Sequence, residues 1–114
     1  MDKAKLSTFI RLGSKLNNQC FGHLQDSISN TCAIGAAIHG KTGELPHSYL
    51  SENKGLSATE IIPELNYVAL SPVWNVDWCN SNCWSSLKNV IIFLNDRKRW
   101  TREQIADWLE SIGL

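Results

Sequence analysis

The residues best placed to do chemistry form one run, Asn95-Asp96-Arg97-Lys98-Arg99-Trp100-Thr101-Arg102, which sets four cations and an indole around the start of a final helix. Backbone N–H groups left unpaired at a helix start favour an anion. An exposed indole offers a face on which a base or sugar can lie. Arg97, Lys98, Arg99, Trp100 and Arg102 are therefore the candidate ligand-binding residues, for a nucleotide-like anion or an acidic partner surface. The competing reading is a solvated turn whose arginines pair with Asp96, Glu103 or Asp107 and whose Trp100 packs beside Ile105.

Sulfur and imidazole groups supply two further possibilities. Cys20-x-x-His23 and Cys79-x-x-x-Cys83 hold four ligands that could place zinc in a tetrahedral cluster between two loops. The spacings match no standard finger, and thiols packed among aromatic side chains explain them without metal. Cys32 falls in the first turn of a helix, where the macrodipole lowers a thiol's pKa, and His23, His39 or His47 would have to serve as its base. An alanine-rich helix also buries such a cysteine comfortably. No catalytic residue, metal ligand or cofactor is assigned from these patterns.

The elements that must position these groups read mainly as short helices. Leu6, Phe9, Ile10 and Leu16 recur at helical spacing between Asp2 and about Asn17. Residues 19–30 read as an ordered loop or short hairpin. Thr31 to His39 is rich in small residues, which let a neighbouring backbone approach closely; Ser29 or Asn30 can cap it, and Gly40 and Gly43 stop it. Pro46 can open a turn, and Ser57-Ala-Thr-Glu60 has the form of a capping box cut short by Pro63. Tyr67 to Leu70 reads as extended and Trp74 to Asn82 as a packed loop.

Trp84, Leu87, Ile91 and Leu94 predict a buried helix, although Val90 to Leu94 alone also fits a buried strand. In the last element Thr101 and Gln104 form a capping box, Trp100 and Ile105 a staple, and Ile105, Trp108, Leu109 and Ile112 one apolar stripe before Gly113. The expected fold is a compact single domain over residues 1–114, mainly α with about four to six short helices, or α+β with a short hairpin.

At 114 residues, 43% hydrophobic and 19% charged, the chain has an ordinary globular composition that excludes disorder and collagen-like repeats. Eleven basic and eleven acidic residues cancel, which removes the broad attraction that nonspecific nucleic-acid binders use. The N-terminus leads into an amphipathic stretch, so neither a secretory signal nor a membrane span is expected, and the four cysteines are expected to be reduced in the cytoplasm. Thr101 to Leu109 has the look of the first helix of a helix-turn-helix. With Leu114 as the last residue no recognition helix is expected, and so no specific DNA binding.

Cys32-Ala-Ile-Gly-Ala-Ala37, with Phe93-Leu-Asn-Asp96 and Trp100-Thr-Arg-Glu-Gln-Ile-Ala-Asp-Trp-Leu109, resembles a loose group of small uncharacterised bacteriophage and bacterial proteins. The likeness covers about a quarter of the chain and brings no catalytic residues with it. It implies a phage or mobile-element origin and an accessory role by stoichiometric binding, masking a host protein or sequestering a nucleotide-like molecule, as in counter-defence. The host cytoplasm would then be its location, and homo-oligomerisation stays open.

Overall fold

Residues 5–52, 56–69 and 85–114 are described by a computed structural model. The first helix, α1 (Leu6–Ser14), buries Leu6 and Ile10 on one side and half-buries Phe9. It ends sooner than the apolar pattern predicts, because the Lys15 and Leu16 N–H groups turn back onto Leu12 and Gly13. Leu16 is left 59% exposed rather than joining the stripe. The loop that follows is ordered as expected, held by Asp26, which accepts the N–H groups of Ile28 and Asn30, and by single bridges from Gln19 and Gln25 to Thr31.

Helix α2 (Ala33–Thr42) is the centre of the fold, with every residue from Thr31 to Ile38 buried. Its cap is Cys32, whose sulfur accepts the Gly35 N–H, and not Ser29 or Asn30; the Asn30 side chain is engaged with Asp26 and the Asn18 N–H. Nor does Gly40 stop the helix. A Cβ there would fall on the Phe9 carbonyl oxygen, just as one at Gly13 would fall on that of Ala36. These two glycines let α1 and α2 cross almost backbone to backbone, and the helix ends at Gly43, in the left-handed conformation at φ +80°.

Pro46 does open a helix, α3 (Pro46–Glu52). Ser57 precedes α4 (Ala58–Ile61), but its hydroxyl bonds the Thr59 hydroxyl and the Glu60 carboxylate and leaves the helix N–H groups alone, so the capping box does not form. Pro63 begins a 3-10 turn, Pro63–Asn66. The extended stretch after Tyr67 appears as β1 (Val68–Ala69), paired antiparallel with β2 (Ser85–Ser86).

The ambiguous run at 90–94 lies within a helix, α5 (Leu87–Asp96), whose Ser86 cap accepts the Asn89 N–H. The last helix, α6 (Arg102–Ser111), carries the predicted capping box, with Ile105 and Leu109 buried and Trp108 and Ile112 packed at the edge of the core. The fold is mainly α. Among the described residues no helix is long and apolar enough to cross a membrane. The packed loop read at Trp74 to Asn82 lies outside the described residues.

Two stability measurements test this packing. Gly13→Ala forces α1 off α2 and is expected to cost about 3 kcal/mol in urea unfolding, whereas Leu12→Ala on the exposed side of α1 costs about 0.5 kcal/mol or less. His39 lies half-buried on α2 with Nδ1 3.2 Å from Asn17 Nδ2, and burial lowers its pKa. The unfolded chain therefore takes the proton more readily, and stability falls as pH drops below the unfolded value of about 6.5. His39→Gln should flatten that fall between about pH 7 and 5.5.

Candidate binding site

Between α5 and α6 the chain turns through Arg97 to Thr101. The N–H groups of Arg97 and Lys98 both reach the Phe93 carbonyl, and that of Trp100 reaches Leu94, which closes the end of α5. Arg99 takes a left-handed backbone at φ +53°, and its guanidinium lies 4.3 Å from the centre of the Phe21 ring. The Lys98 ammonium stands 5.9 Å from the Phe93 ring centre. The backbones of Arg97, Lys98 and Arg99 are thus fixed while all three residues remain exposed.

The other two candidates face elsewhere. Trp100 is half-buried against the core and its carbonyl accepts from Gln19 Nε2 at 2.8 Å. Arg102 is only 6% exposed and points inward. Its guanidinium donates to the Asn17 side chain at 2.9 Å, the Thr31 hydroxyl at 3.0 Å, and the Ser14, Asn17 and Thr31 carbonyls. Burial lowers its pKa from the usual arginine value, and a guanidinium stays charged even so. The start of α6 is also occupied: Thr101 accepts the Gln104 N–H at 3.0 Å, and Gln104 accepts the Thr101 N–H at 2.8 Å.

The carboxylates that sequence alone would pair with the turn are held on another side of α6. Arg11 binds Asp107 and Glu110 at 2.7 Å each and approaches Glu103 at 3.9 Å. Asp96 accepts from the Gly22 N–H and the Asn95 side chain. Among the described residues no carboxylate is paired with Arg97, Lys98 or Arg99. In the sequence Arg11 stands out only as one of the cations of the first helix, yet Glu103, Asp107 and Glu110 stand at i, i+4 and i+7, and such an acidic stripe asks for a cation across from it.

Asn95, at the head of the basic run, joins the two distant segments that carry the resemblance, a role its local sequence does not signal. Buried, it accepts from the Ala33 N–H at 3.1 Å and Gln19 at 2.8 Å, and it donates to the Cys20 carbonyl at 3.1 Å and Asp96 at 2.7 Å. Beside it lies a cavity of about 440 Å³, walled by Leu24, Ile34, Leu50, Ala58, Ile91 and Ile92, with Cys32, His23, Lys88 and Asp96 also lining it.

Cys32 caps α2 instead of lying in its first turn, and its thiol is pushed up to about 11 by burial, which outweighs the N–H groups of Gly35 and Ile34 that favour the thiolate. His23 shares the cavity with it; His39 lies beside Asn17, and His47 is exposed at the start of α3. Cys20 is buried and donates to the His23 carbonyl, while Cys79 and Cys83 lie outside the described residues. Comparison with known proteins finds no matching family model, no matching curated protein and no matching solved structure.

The Asn95 network generates a pH test. In Asn95→Asp the two donated hydrogen bonds are lost and a second carboxylate is buried beside Asp96, which should cost about 3 kcal/mol at neutral pH. The new carboxyl has a folded-state pKa above its unfolded value of about 3.9, so the native state holds the proton more tightly. The deficit should therefore shrink as pH falls from about 7 toward 5, read by denaturant unfolding at each pH.

Proposed function

We propose that this domain acts by stoichiometric binding, masking an acidic surface on a partner protein through Arg97, Lys98 and Arg99. The observation that carries the reading is the division of charge: Arg11 gathers the acids of α6, and the three cations of the turn are left without carboxylate partners among the described residues. Such cations on a fixed backbone suit an interface rim, where they speed encounter and select partners of opposite charge. The accessory role in a host cytoplasm that the sequence resemblance implies forms part of this proposal.

Two features favour an acidic protein surface over a nucleotide-like ligand. Trp100 packs against the core and so is not a free stacking platform, and the capping box already occupies donors at the start of α6. The raised pKa of Cys32 weighs against a thiol enzyme.

The test compares a labelled oligo-glutamate peptide with a labelled oligothymidylate of equal charge. The peptide is expected to bind more tightly, to weaken as salt rises, and to lose about tenfold in affinity when Arg97, Lys98 and Arg99 are all changed to alanine. Thr101→Ala should leave that binding intact while lowering stability by about 1 kcal/mol. Tighter binding of the oligothymidylate, or a triple variant indistinguishable from the parent, would overturn the reading.

A further inference from the structure

The basic turn and the cavity share an edge. Gly22 lines the cavity and donates its N–H to Asp96, another lining residue, at 3.0 Å. The residue before Gly22 is Phe21, on whose ring Arg99 stacks, and the residue after Asp96 is Arg97. The carboxylate of Asp96 therefore belongs to this rim, satisfied on one oxygen by two donors. On α5, Lys88, Ile91, Ile92, Asn95 and Asp96 follow helical spacing and all line the cavity, so a cation stands about 12 Å along the helix from the turn end. Lys88 has no carboxylate partner among the described residues.

We infer that this cavity takes the apolar anchor side chains of an acidic peptide segment whose carboxylates rest on Arg97, Arg99 and Lys88. The inference rests on the proposed acid-binding role of the turn and names what else the partner must carry. A volume of about 440 Å³ falls in the range of pockets that enclose small organic groups and has room for more than one large side chain. Its walls are largely aliphatic, and Ile92 remains 37% exposed at its edge. Lys88 in the lining and the basic turn that begins one residue beyond the lining Asp96 put cations without carboxylate partners on two sides of the aliphatic walls, which matches a segment that is acidic on its flanks and apolar in its middle. Charge then governs encounter and salt dependence, while the anchor in the pocket governs dissociation.

Fluorescence anisotropy with two labelled hexapeptides, Asp-Glu-Leu-Phe-Glu-Asp and Asp-Glu-Ala-Ala-Glu-Asp, separates the two contributions. The unaltered protein should prefer the first by at least about tenfold, the effect of burying one large apolar side chain. Ala58→Phe, which fills the cavity, should erase that preference and leave the salt-dependent binding of both peptides. Ile92→Ser, at the exposed edge, should reduce it. The triple alanine variant of Arg97, Lys98 and Arg99 should weaken both peptides alike and keep the preference. Equal affinity of the unaltered protein for both peptides would overturn the anchor pocket and leave the acid-binding turn standing. Binding of neither would overturn both.

Discussion

The guanidinium of Arg102 holds together parts of the chain that lie far apart in sequence. It rises from the first turn of α6 and donates to carbonyls at and just beyond the end of α1, those of Ser14 and Asn17, and to both oxygens of Thr31 ahead of α2. No carboxylate is among these partners, so the buried charge is supported by neutral dipoles. Carbonyls at the end of a helix carry the negative end of its macrodipole, which makes them suitable hosts for a cation. Without that cation the buried Thr31 hydroxyl and the part-buried carbonyls of Ser14 and Asn17 would lose a donor, at a cost of up to about 1–3 kcal/mol each. The turn at 97–101 is held on one side by its hydrogen bonds to the end of α5 and is followed on the other by the buried Arg102.

The close crossing of α1 and α2 works with this anchor. Glycines at the contact bring the two backbones together, leaving α2 enclosed and its N-terminal turn facing α5. Asn95 completes that junction by pairing the Ala33 N–H and the Cys20 carbonyl, groups that would otherwise be buried unpaired. The same junction forms one end of the aliphatic cavity, which is why the cavity and the basic turn come to lie side by side.

Net neutrality conceals how the charges are used. Three acids and Arg11 form a network tying α1 to α6, a task in which each exposed pair adds little and the group adds more. Their removal from the neighbourhood of the turn leaves a local cationic surface on a chain with no overall charge. Local excess of this kind suits recognition of a particular acidic patch better than general attraction to polyanions.

Much of the secondary structure could be read directly from the residues. The capping box and stripe of α6, the small-residue character of α2 and the opening of α3 at Pro46 are local signals with local causes, and the chain obeys them. Where several readings competed, tertiary contacts decided. Gly40 is a packing contact and not a terminator because the Phe9 carbonyl lies against it, and 90–94 is helical because its apolar side chains meet α2 on one side. The candidate site divided for the same reason. Sequence could set Arg97, Lys98, Arg99, Trp100 and Arg102 next to one another, but which way each faces depends on what the rest of the chain offers it. Oxygens at and beyond the end of α1 drew Arg102 inward, the core took Trp100, and Arg11 claimed Glu103 and Asp107, two of the acids that sequence alone pairs with the remaining three. Composition and periodicity determine a helical domain with a basic turn; long-range partners alone determine which of its cations remain available.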